Sequence, residues 1–176
     1  MTEDYGTLSH AYRYRESLIG AVSAGFFLVL LGALFIVTPG LFSRSIDFFE
    51  DFGSVVVPHT TISFLAPTHL LSHGAVYTAV EQFCFAFGVF HVVILALRFA
   101  ARSSTNKKAD TIGNLIFWIG AGYLTRTLLL NTMLLQTSAR ALSTWFVFWA
   151  ALITLIGVTL IARAIILAAT IPRRMT

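Results

Sequence analysis

Charge is scarce in this chain. Acidic and basic residues fill 11 % of its 176 positions, against about 25 % in an ordinary soluble domain. Hydrophobic residues reach 57 %, and the mean hydropathy is +0.81. That balance excludes a water-soluble globular domain, a disordered chain and a nucleic-acid-binding arm. Cysteine is nearly missing as well. With Cys84 alone, the chain can form neither an intramolecular disulfide nor a Cys-x-x-Cys metal or redox pair. There is no Walker loop, no GxGxxG, no GxSxG, no HExxH, no calcium-binding loop and no N-x-S/T acceptor. Internal repeats and low-complexity tracts are missing too.

What is present is apolar length. Four stretches stand out, at 18–38, 67–98, 111–136 and 144–171. Each has the ~20 residues that a helix needs to cross ~30 Å of hydrocarbon. Helices are the form expected, because backbone groups in lipid must be satisfied within the segment. Pro39, Pro67 and Pro172 fall at segment edges, where proline is tolerated. The first stretch is too long for a signal-peptide core and is expected to stay as an anchor. The connections at 99–110 and 136–143 are short, so the last three helices should be antiparallel neighbours. The expected fold is an all-α membrane protein, an antiparallel four-transmembrane-helix bundle with tails at 1–17 and 172–176.

The positive charges set an orientation. Arg13, Arg15, Arg98, Arg102, Lys107, Lys108, Arg173 and Arg174 lie on one side, and Arg44 and Arg140 on the other. The positive-inside rule then puts both tails in the cytoplasm, with the plasma membrane as the expected location. Between helices 1 and 2, the segment 41–56 is amphipathic. Leu41, Phe42, Ile46, Phe48, Phe49, Phe52, Val55 and Val56 share one half of a helical wheel, and Arg44, Asp47, Glu50, Asp51 and Ser54 the other. Ser45 is out of place. The pattern fits a helix in the outer interface or one capping the bundle.

Polar residues inside the apolar stretches are the functional candidates. At helical spacing, His69, His73, Tyr77, Glu81, Cys84, Gly88 and His91 form a stripe along helix 2. Helix 3 contains Arg126. Counting ~1.5 Å per residue from the outer ends puts Glu81 and Arg126 at similar depth in adjacent helices. An ion pair between them is expected, either fixing helix register or forming a ligand site. His59, His69 and His73 gather on the outer side. His69 and His73, four apart, could share one metal ion, with His59 as a third ligand from the loop and Asp47, Glu50 or Asp51 adding oxygen ligands. No other cofactor is expected. Helices 1, 3 and 4 contain no histidine, which argues against a bis-histidine haem at His91. Arg163 is expected to snorkel or to cap an inner polar contact.

Small residues recur at helix-packing spacing: Gly20 with Ala24, Ala21 with Gly25, then Gly32, and also Gly120, Gly122, Ala150, Thr154 and Gly157. Short loops and the missing catalytic signatures point to a non-enzymatic structural or accessory subunit. Such a subunit would self-associate or bind a larger membrane complex. The other reading is a small oligomeric transporter or channel using Glu81, His73 and His91 with Arg126. Both readings need the bilayer, and both need a second copy or another membrane subunit.

Overall fold

The computed structural model describes residues 3–58 and 60–170, with side chains described over 17–58, 60–138 and 140–170. Among these, five α-helices carry most of the chain: α1 (Glu3–Val37), α2 (Leu41–Glu50), α3 (Gly74–Ala100), α4 (Thr105–Leu124) and α5 (Ser138–Ala169). Three stretches are long and apolar enough to cross a membrane: Ser17–Val37, Leu70–Ala100 and Arg140–Ala169. Their exposed positions are largely Leu, Ile, Val and Phe, as a lipid-facing surface requires.

The fourth expected crossing segment is helical but less apolar. Its helix begins earlier than expected, at Thr105 after Ser104, and so takes in Lys107, Lys108 and Asp110. It does not continue as a regular helix to residue 136. After α4 the backbone opens into one π-helical turn, Thr125–Leu130, closed by Asn131 N–H donating to the Arg126 carbonyl at 2.9 Å. A short 3-10 turn, Met133–Leu135, follows. Threonine hydroxyls bond back onto this backbone, Thr125 to Ala121 O at 2.9 Å and Thr127 to Tyr123 O at 2.8 Å. Such bonds compete with the regular ladder and favour its local widening.

An all-helical fold is corrected by a two-stranded antiparallel sheet, β1 (Phe52–Val56) against β2 (Ser63–Pro67), with Phe52 opposite Pro67 and Val56 opposite Ser63. The amphipathic segment 41–56 is therefore helical only over α2. Gly53 and the β-branched run Val55–Val57 favour extended backbone, and Pro58 closes the strand. Gly53 also allows close approach, since a Cβ there would lie 2.9 Å from the Thr68 methyl. The expected start of helix 2 at Pro67 moves as well. Pro67 ends β2, a 3-10 turn spans Leu70–His73, and α3 starts at Gly74. Ser45, the misfit on the α2 wheel, turns its hydroxyl back onto Leu41 O at 2.8 Å.

Helix α4 packs against both α3 and α5, and α1 packs mainly on α3. Contacts give the directions. Early α3 meets the π turn through Glu81 and Arg126, and late α3 meets early α4 through Arg98 and Lys107. Late α5 meets early α4 through Arg163 and Asp110. The neighbours are thus antiparallel. The main apolar core lies at the hairpin end, where Ala66, Leu70, Tyr77, Leu129, Met133, Ala141, Trp145 and Phe148 are buried together. Phe48, Phe52 and Val55 close over it from α2 and β1, so the hairpin layer is seated on the helix ends.

Candidate functional site

Three polar constellations lie along α3. The first is at the hairpin end and is centred on Asp51, the residue that ends α2. Its backbone N–H donates to Asp47 O at 3.0 Å. Its carboxylate collects donors from the entry to α3: Thr68 hydroxyl at 2.5 Å, His69 backbone N–H at 2.7 Å, His69 Nδ1 at 2.6 Å and His73 Nε2 at 2.8 Å. Burial alone would raise the pKa of this carboxyl. The hydrogen bonds from Thr68, His69 and His73 favour the charged form more strongly, and the net direction is well below the usual carboxylate range. His73 is buried with its ring edge-on to Phe48, 5.1 Å between centroids. His69 is exposed.

The two histidines therefore turn to a carboxylate, and the acid left open among Asp47, Glu50 and Asp51 is Asp51. His59 lies outside the described residues. Among the described residues, no group of three or more His, Cys, Asp or Glu is arranged to hold a metal ion.

The second constellation is the pair on the first half of α3. Arg126 Nη1 donates to Glu81 Oε1 at 3.2 Å. The π turn carries Arg126 to the flank of α3, and the burial is one-sided: the Glu81 side chain is 11 % exposed and that of Arg126 62 %. Around it the stripe is packed. Tyr77 is buried and donates to Leu70 O at 3.0 Å. Cys84 is buried against Gly122, where an added Cβ would come within 3.2 Å of its own. Gly88 lies closer still to α4, since a Cβ there would be 2.6 Å from Ile119 Cδ1. His91 is buried and donates from Nδ1 to Phe87 O at 2.8 Å. These contacts give the stripe the character of a tight helix seam.

The third is at the opposite end, by the α3–α4 turn. Arg163 Nε pairs with Asp110 Oδ1 at 2.8 Å, and the Arg98 guanidinium donates to Lys107 O. Asp110 had no visible role in the sequence, because its partner lies 53 positions away on another helix. Thr68 was missed for the same kind of reason, as it looks like one more loop hydroxyl until β2 carries it to Asp51.

Taken together, this is a mostly helical chain of the membrane type. The chain matches no family model, no curated protein and no solved structure.

Proposed function

We propose that this chain is a non-enzymatic structural or accessory subunit of a membrane assembly, built by self-association in the plasma membrane. In this reading α4 and its π turn cross the bilayer together with the three apolar helices. The hairpin layer lies outside and both ends of the chain lie in the cytoplasm, in line with the distribution of Lys and Arg.

One observation carries the proposal, the outward face of α1. Ala21, Gly25, Leu28 and Gly32 recur at spacings of four, three and four, which places them on one face. All four are exposed, and a Cβ on Gly25 or Gly32 would meet nothing within 4 Å. Glycines at the α3–α4 seam behave differently, since each of Gly88 and Gly122 sits against a neighbouring side chain. A small-residue face gains nothing from lipid, but it lets a second helix approach closely. The close packing along the polar stripe favours a structural role for Glu81 and Arg126 over a transport path within one chain.

The test is the mass of the particle after mild extraction, for the parent and for Gly25→Leu/Gly32→Leu. The parent is expected as two or more copies and the double variant as a single chain of unchanged thermal stability. A parent that is strictly a single chain, or a double variant that still assembles, overturns the proposal. A particle holding other subunits in place of a second copy would retain the accessory role and refute self-association.

A further inference from the structure

Two cavities meet at Arg98. The first, about 500 Å³, opens at the α3–α4 turn between α3, α4 and α5. Arg98, Lys107, Asn114, Thr159 and Arg163 line it, with Asp110 as its one acidic group. Asp110 is engaged by Arg163 at 2.8 Å. Three cations against one carboxylate leave the cleft net positive. Arg98 Nε is buried and has no hydrogen-bond partner among the described residues, although its Nη1 donates to Lys107 O.

The second cavity, about 700 Å³, is a groove between α1, α3 and α4. It shares Arg98, Asn114 and Phe117 with the first, and continues along Gly20, Ala24 and Phe27 of α1 and Phe87 and Trp118 opposite. Its α1 side is not the assembly face. Gly20, Ala24 and Phe27 follow one helical stripe, and Ala21, Gly25 and Gly32 another. Nothing lies within 4 Å of a Cβ built on Gly20, so the groove has open width there.

A cationic cleft joined to a groove walled mainly by aromatic and aliphatic side chains, with Ser23, His91 and Thr111 as its further polar members, has the polarity profile of an amphiphile with an anionic head. We propose that this pair of cavities is a binding site for an anionic phospholipid. Arg98, Lys107 and Arg163 receive the phosphate, and one acyl chain lies between α1 and α3. Basic clefts between membrane helices hold phosphate headgroups in this way, and a guanidinium with a free, buried N–H gives a charge-assisted bond to a phosphate oxygen. Free phosphate shares the head chemistry but has no use for the groove. The inference does not depend on self-association.

Native mass spectrometry of the full chain, with added phosphatidylglycerol, phosphatidylcholine or inorganic phosphate, tests it. Phosphatidylglycerol is expected to bind at least tenfold tighter than phosphatidylcholine. Lys107→Gln should weaken it about fivefold, and Arg98→Gln/Lys107→Gln should remove most of the preference. Gly20→Phe/Ala24→Phe fills the groove and should weaken both lipids alike. Equal affinity for the two lipids in the parent overturns the proposal, whatever the variants do. So does inorganic phosphate that displaces phosphatidylglycerol completely, since the site would then hold an anion and no chain.

Discussion

Replacing Arg126 by alanine should cost much more than replacing Glu81, although the two residues share one bond. The reason is the asymmetry of burial, 11 % exposure for the Glu81 side chain against 62 % for Arg126. Truncating Arg126 leaves a carboxylate held among α3 and α4 without its donor. Removing one partner of a buried pair costs about 3–5 kcal/mol. Truncating Glu81 instead leaves a long, mostly exposed guanidinium that can extend along its stem towards the headgroups. At the hydrated headgroups the guanidinium regains its solvation, and the loss is then close to that of a water-exposed pair, up to about 1 kcal/mol. The gap of at least about 2 kcal/mol corresponds to a roughly 30-fold difference in the folded-to-unfolded ratio. Reversible unfolding in mixed micelles, followed by tryptophan fluorescence, reads this difference directly. Glu81→Gln should be milder than Glu81→Ala, because the amide keeps the shape and carries no charge. Glu81→Gln combined with Arg126→Ala should be more stable than Arg126→Ala alone, since an amide is easier to bury than an unpaired carboxylate. Arg126→Ala no less stable than Glu81→Ala would refute the burial argument. A double variant no better than Arg126→Ala would refute the claim that an uncompensated carboxylate is the cause.

Further outcomes are expected at Asp51, Gly88 and Gly25. Because the Asp51 carboxyl is held below its unfolded value of about 4, its contribution to the hairpin layer is fully present above that pH. It is lost only as the pH falls further, so amide protection in β1 and β2 should hold from neutral pH down to about 4 and then fall. Asp51→Asn should lower that protection at neutral pH. Gly88→Ala should destabilise, because the 2.6 Å approach to Ile119 implies an overpacking cost of about 1–3 kcal/mol. That outweighs the gain of up to about 1 kcal/mol in helix propensity. Gly25→Ala meets nothing within 4 Å and should leave the stability of the single chain unchanged or raised, as thermal unfolding in detergent would show.

How far the sequence could be read depends on the range of the interaction. Long apolar runs need no neighbour to be recognised, so the stretches that became α1, α3 and α5 were visible at once. Matching depth on adjacent antiparallel helices anticipated the meeting of Glu81 and Arg126, because helical rise converts position into height. The hairpin was harder. An apolar segment of alternating character fits a helix wheel nearly as well as a strand until its partner strand is known, and Gly53 and Val55–Val57 were the local signs of β structure. The π turn left only the run of Thr125, Thr127 and Thr132 as a trace. Which acid would face His69 and His73 could not be decided, since Asp47, Glu50 and Asp51 differ by fractions of a turn and the choice was made by where α2 ends.

The Asp51 hub also bears on the order in which the molecule can be made. Its carboxylate receives its donors from residues 17, 18 and 22 positions further along the chain. During synthesis from the N-terminal end, α2 has only the end of α1 to pack on, through Leu34 and Leu41, and β1 emerges before its partner strand. They dock only when β2 and the start of α3 have appeared, and the closing loop of about 20 residues makes that step local and entropically modest. The apolar floor beneath Phe48 arrives later still, with Ala141, Trp145 and Phe148 at the start of α5. The hairpin layer is thus a late product of biogenesis. A chain stalled before α5 would present α2 and the hairpin with their apolar side uncovered, in the form most open to quality-control proteases and chaperones.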